Sequence, residues 1–180
     1  MKPLRQGDLD GMCGIYASLN AVQYLVPAAR DWGYLNKLMI HIVGEIYTAK
    51  DVTGGGGELK MAAVFSYAAG KVSHDFKIAM TMSNKGRADR FKSPVDVMGA
   101  TFELGFPGIF ILGYEGRDSH RTCVRSIVND KVMLFDSCGQ KSFDRADVVW
   151  RKTVKVPAKS NKVVVSPSDI NWISCGAIRG

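Results

Sequence analysis

Residues 109–136 read IFILGYEGRDSHRTCVRSIVNDKVMLFD. Ile109–Tyr114 is a nearly continuous apolar run of strand length, as expected of a central strand covered on both faces. His120–Val128 and Lys131–Asp136 flank Asn129-Asp130, a hairpin turn signal. Downstream, Val148–Val156 and Lys162–Val165 read as further strands, and Asp75–Met82 is a weaker strand candidate upstream. Towards the N-terminus the pattern changes from strand to helix. Residues 12–70 are rich in Ala, Leu, Met and Tyr. A first helix is predicted over Met12–Leu25, with Ile15, Leu19 and Val22 forming one buried stripe. Asp10 is placed to cap its start and Pro27 falls just past its end. Tyr34–Ala49 and Glu58–Ala69 read as the second and third helices, separated by the glycine run Gly54–Gly57. A shorter fourth helix spans Pro94–Leu104, with Pro94 in its first turn. Helices first and strands later predict an α+β fold, with N-terminal helices packed on a C-terminal antiparallel sheet.

The chain has 180 residues, a net charge of +7, 46% hydrophobic and 23% charged residues. That is the size and composition of one folded domain, here 1–180. No apolar run approaches the ~18 residues a membrane span requires, and Met1–Asp10 shows no secretory signal. Cys13, Cys123, Cys138 and Cys175 include no CxxC pair, which argues against a zinc knuckle, and four thiols are too sparse for a disulfide scaffold. The expected setting is therefore reducing, such as the cytoplasm. Gly54–Gly57 is followed by Glu58-Leu59-Lys60 rather than Lys-Ser/Thr, so it does not continue as a phosphate loop. No cofactor and no metal are expected.

The chemistry-bearing stretch is Gln6-Gly7-Asp8-Leu9-Asp10-Gly11-Met12-Cys13-Gly14. A glycine-bearing loop leads into an apolar helix headed by Cys13. Backbone N–H groups and the dipole at a helix N-terminus favour an anion, and a thiolate is one. Asp118-Ser119-His120 opens one strand, and Phe135-Asp136-Ser137-Cys138-Gly139 closes the next. Cys13, His120 and Asp136 supply the residue types needed for nucleophile, base and orienter.

Gln6, Cys13-Gly14, His120 and Asp136-Ser137-x-Gly139 resemble the papain-like cysteine peptidase superfamily. Bacteriocin-processing peptidase domains of bacterial exporters and compact papain-like bacterial effectors are the most similar groups. The resemblance implies a Cys13–His120–Asp136 triad, an oxyanion hole using the Gln6 amide and the Cys13 backbone N–H, and close substrate approach over Gly14. It implies a thiol hydrolase cutting a peptide or isopeptide amide in a protein or peptide substrate, acting in the cytoplasm or delivered to another cell as an effector. A glutamine deamidase or transglutaminase-like acyl transferase would use the same triad, and a non-catalytic basic binding module is the reading from a different class. The pattern departs from papain in three ways. Gln6 lies one residue farther from the Cys, Asp136 replaces Asn, and Arg121-Thr122 follow His120 where small apolar residues are usual.

The remaining candidates read as structural. Cys123, Cys175 and His41 are expected to pack, and Cys138 lacks a helix N-terminus and makes a poor nucleophile. His74 is the rival general base. The basic cluster Lys141, Arg145, Arg151, Lys152, Lys155, Lys159 and Lys162 suits an acidic partner surface, but is read as a solvated face. With little aromatic interleaving it argues against a nucleic-acid platform. The hairpin sets one further condition. A plain two-residue Asn129-Asp130 turn places Asp136 opposite Cys123, on the face away from His120. A working triad therefore requires an odd-length loop, a bulge, or an early strand end, and a three-residue loop is the simplest solution.

Overall fold

The computed structural model describes residues 1–5, 12–46, 63–64, 67, 76–81, 90–116, 119–151 and 161–177. They form an α+β arrangement. The helices are α1 (Cys13–Leu25), α2 (Trp32–His41) and α3 (Pro94–Glu103). The strands are β1 (Phe76–Thr81), β2 (Gly108–Tyr114), β3 (His120–Val128), β4 (Lys131–Phe135), β5 (Ser142–Asp144), β6 (Val148–Trp150), β7 (Val163–Val165) and β8 (Ile170–Ala177). Six strands build one antiparallel sheet in the order β1-β8-β2-β3-β4-β5, and β6 and β7 pair in parallel beside it.

β2 lies between β8 and β3, and its Ile109–Gly113 segment is buried on both sides. Ile109, Ile111, Cys123, Phe135 and Ile173 face α1 and α2. Phe110, Leu112, Val124, Leu134 and Trp172 face the other way, against α3 and the β6–β7 pair. Both faces of the sheet are therefore covered.

α1 was expected to bury one stripe. Instead Ala17, Ser18, Asn20, Ala21 and Gln23 are buried along with Ile15, Leu19 and Val22. A helix enclosed on nearly all sides must satisfy its polar groups internally. Asn20 does so by accepting from the Leu4 N–H at 2.7 Å, and Gln23 donates to the Lys2 carbonyl at 3.3 Å. The N-terminal segment is thereby held along α1. The N-cap is Met12, with no side-chain cap bond; Asp10, the expected cap, lies outside the described residues.

α2 begins two residues earlier than expected because the Asp31 carboxylate caps it, accepting from the Tyr34 N–H at 2.9 Å. It gives way to a π-helical turn over Ile42–Ile46 rather than running on as α-helix. Of the predicted third helix, only Ala63, Val64 and Tyr67 are described, all helical. α3 starts at Pro94 as predicted, with a Ser93–Asp96 capping box. The strand expected over Val148–Val156 is β6, three residues long, and residues 152–160 lie outside the described set. β5 and β8 were not anticipated. β8 is central, but its INWISCGA sequence carries Asn171, Ser174 and Gly176, which break the apolar pattern. Among the described residues, no helix is long and apolar enough to cross a membrane.

Candidate active site

The site assembles where the N-terminus of α1 meets the start of β3 and the end of β4. Cys13 is the first residue of α1 and is partly exposed. His120 opens β3, and Asp136 follows directly on β4. The His120 Nε2 and Asp136 Oδ1 atoms are 2.8 Å apart, with the side chains 10% and 0% exposed. The His120 ring and the Cys13 thiol are close enough for each to favour the other's charged form. With Nε2 engaged by Asp136, Nδ1 is the ring atom left for the sulfur.

How Asp136 reaches His120 depends on the hairpin. The turn has two residues, with Val128 paired to Lys131, so the expected three-residue loop is wrong. The correction comes farther along. Ser126 pairs with Met133 but Val124 pairs with Leu134, leaving Arg125 as an extra residue in β3. One inserted residue exchanges the faces of everything beyond it. Cys123 then opposes Phe135, and the next position brings Thr122 and His120 to the face Asp136 takes on leaving the strand. The bulged Arg125 is exposed, so its charge stays in water. Asn129 takes a φ of +52° in the turn, a conformation Asn tolerates better than most residues.

The loop after β4 then holds the carboxylate. Asp136 Oδ2 accepts from the Cys138 N–H at 2.8 Å and the Gln140 N–H at 3.1 Å. Gly139 allows this tight return with a φ of +85°, a region that disfavours side chains. Ser137 is buried beside it. These contacts are an aspartate bonding its own following backbone, a local geometry that Asp-Ser-x-Gly favours.

The electrostatics follow from these partners. Burial would lower the His120 pKa, but the hydrogen bond to Asp136, then that to Cys13, and the charges of both raise it to about 9. Burial would raise the Cys13 thiol. The hydrogen bond with the His120 side chain, the Arg121 backbone N–H and the charges of both residues instead hold it below its ordinary value. Burial also opposes ionisation of Asp136, and the His120 hydrogen bond leads the interactions that keep it below the usual carboxylate range. The Thr122 hydroxyl is buried and close enough to favour the Asp136 anion. Among the described residues, however, it has no partner at full hydrogen-bonding geometry. A thiolate–imidazolium pair backed by a buried carboxylate can attack an electrophilic carbon and return a proton to a leaving group.

The other candidates separate clearly. Gly14 is buried in the first turn of α1, where its carbonyl accepts from Ser18 Oγ at 2.9 Å. Gln6 and His74 lie outside the described residues. Cys123 is fully buried, donates to the Ala17 carbonyl at 3.1 Å, and burial pushes its pKa far up. Cys175 packs against the α1 side of the core. His41 stacks on Tyr67 with centroids 3.5 Å apart. Within the basic cluster, Arg145 pairs with Asp96 at 2.8 Å, Lys162 with Asp147 at 2.8 Å, and Arg151 with Glu115. These cations are matched inside the chain, as on a solvated face.

Sequence reasoning missed two contributors, the Arg121 backbone N–H and the Thr122 hydroxyl. Thr122 shares a face with Asp136 only through the bulge, which has no clear sequence signal. Cys138 is exposed, and its sulfur lies within 4.8 Å of ligand atoms of His120 and Asp136. The three residue types are ones zinc accepts. Asp136 already has Oδ1 on His120 and Oδ2 on two amides, so a metal would have to displace a formed network. Comparison with known proteins finds no matching family model, curated protein or solved structure.

Proposed function

We propose that this chain is a papain-like thiol hydrolase that cleaves a peptide or isopeptide amide through a cysteine acyl-enzyme. The observation that carries the reading is the His120–Asp136 contact at 2.8 Å, with the same imidazole beside the Cys13 thiol at the head of α1 and holding it below its ordinary pKa. In the proposed cycle the Cys13 thiolate forms a C–S bond with the substrate carbonyl carbon. The carbonyl π electrons move to oxygen, and the Cys13 backbone N–H and the Gln6 amide stabilise the oxyanion. As the oxyanion collapses, the C–N bond breaks and the His120 imidazolium protonates the departing amine. His120, now neutral, takes a proton from water, which attacks the thioester. C–S cleavage then releases the acid and restores the ion pair. Asp136 holds the imidazole tautomer throughout and stabilises its charged form. A deamidase or acyl transferase would use the same steps with a side-chain amide or an amine acceptor.

The test is alkylation by iodoacetamide across pH, with the labelled residue mapped by mass. Cys13 is expected to react fast and stoichiometrically at neutral pH, and an amide-based electrophilic probe should label the same residue. Slow, even labelling of all four cysteines would overturn the enzyme reading in favour of a binding module.

A further inference from the structure

Arg121 departs from the papain pattern as a cation directly after His120, and the fold places it under the nucleophile. Cys123 donates to the Ala17 carbonyl of α1. Arg121 lies two residues before Cys123 and shares its face of β3. Cys13 lies one turn before Ala17 on α1. His120 is beside Cys13 at one end and Cys123 is beside Ala17 at the other, so α1 and β3 leave the site in the same direction. Two strand residues span about 6.6 Å and four helical residues about 6 Å. Arg121 therefore sits beneath Cys13 as Cys123 sits beneath Ala17.

The neighbouring strands fix where its long side chain can run. Arg121 pairs with the buried Gly113 of β2. On the other side of Gly113 is Asp169, which precedes Ile170, the partner of Leu112. A Cβ on Gly113 would lie 3.1 Å from Asp169 Cβ and 3.4 Å from its Oδ1. The missing side chain thus opens a lane from Arg121 to Asp169, on the face of the sheet that carries α1. Both residues are half-buried there. Burial and Glu115 oppose the Asp169 anion, and Arg121 is the strongest group favouring it, ahead of Ser166 and Arg151. The Arg121 backbone N–H and its charge also favour the Cys13 anion, alongside His120.

We propose that Arg121 is a positioning residue for the nucleophile: its guanidinium, laid over Gly113 towards Asp169, is a second positive charge beside the Cys13 sulfur. The inference rests on the thiol-hydrolase reading, which makes Cys13 the nucleophile. The two cations differ in kind. His120 gives and takes a proton, whereas a guanidinium keeps its charge throughout the cycle. The sulfur therefore faces positive charge even after His120 has protonated the leaving group.

The test compares iodoacetate with iodoacetamide on the full chain, with labelling of Cys13 read by mass. Both reagents meet the same thiolate population, so their rate ratio reports the charge around the sulfur. Arg121→Met should lower the iodoacetate-to-iodoacetamide ratio by up to ~5-fold, the range for one partly exposed charge pair. Arg121→Lys should restore most of it, and Arg121→Glu should lower it below Arg121→Met. High salt should shrink the differences. A fold disturbance would not follow the sign of the charge. The proposal is overturned if Arg121→Met leaves the ratio unchanged, or if the Lys, Met and Glu variants share one ratio. The ratio is read at Cys13 in every variant and needs no turnover. Failure of the thiol-hydrolase reading would be seen separately, as slow and even labelling of all four cysteines in the unsubstituted chain.

Discussion

Asp136→Asn separates what the geometry requires from what the family resemblance suggests. Papain-like enzymes commonly place Asn at this position, so resemblance alone expects a mild change. The hydrogen bonds predict a severe one. Asp136 Oδ1 faces His120 Nε2, and Oδ2 accepts from the amides of Cys138 and Gln140. An Asn has one acceptor oxygen and one donor nitrogen in these two places. Turning the oxygen to His120 leaves two backbone N–H groups facing an NH2, each costing about 1–3 kcal/mol if left unsatisfied. Turning it to the backbone keeps both bonds and aims the NH2 at Nε2. That second orientation is favoured, and it requires Nε2 to be an acceptor, so the neutral ring carries its proton on Nδ1, towards Cys13. The ring then cannot take the thiol proton, and the carboxylate that raises the His120 pKa to about 9 is gone. Expected is a fall of up to about 30-fold in the Cys13 alkylation rate at pH 7, the ceiling set by the few per cent thiolate that an ordinary cysteine keeps at that pH. The assay is the pseudo-first-order alkylation of Cys13 by iodoacetamide from pH 5 to 10, with circular dichroism confirming the fold. The reactive limb should move towards the ordinary thiol value. An Asn variant that alkylates within about 3-fold of wild type at pH 7 would refute the reasoning, because the shift in thiolate population follows directly from the change in thiol pKa.

Cys13→Ala should abolish alkylation-sensitive activity and leave the melting temperature nearly unchanged, whereas Cys138→Ala should retain activity; the reverse outcome would move the nucleophile to Cys138. Stability should depend on pH through His120. Its folded pKa is raised, so its contribution is complete below pH 6.5 and is lost as pH rises towards about 9. Thermal melts of the Cys13→Ala protein, where Asp136 alone holds the imidazolium, should fall with rising pH, and His120→Gln should remove that slope. Asp136 acts with the opposite sign. Its folded pKa is depressed, so its contribution is present above the ordinary carboxylate value and is lost as pH falls through the folded one. In the core, a Cβ on Gly108 would lie 2.0 Å from the Trp172 ring, and Trp172 is only 9% exposed. Gly108→Ala should therefore destabilise by about 1–3 kcal/mol in chemical denaturation, the usual cost of overpacking.

Local sequence determined a good deal by itself. The periodicity of 12–25 specifies a helix headed by Cys13, because apolar spacing reports the face a helix buries. Ile109–Tyr114 specifies a doubly covered strand, and Asp136-Ser137-Cys138-Gly139 specifies a turn that grips its own carboxylate. Each is a short-range property of neighbouring residues. Three features were decided only by the tertiary structure. β8 takes the place between β1 and β2 although its pattern is broken by polar residues, since pairing on both edges compensates for weak propensity. α1 is enclosed by the sheet and α2, so Asn20 and Gln23 are buried on what the sequence presents as a polar face. The third is the bulge at Arg125. Nothing in His120–Val128 marks it, because an inserted residue is a relation between two strands and not a property of either. Yet it brings His120 and Asp136 to one face, since side chains alternate with a period of two and a single extra residue reverses every one beyond it.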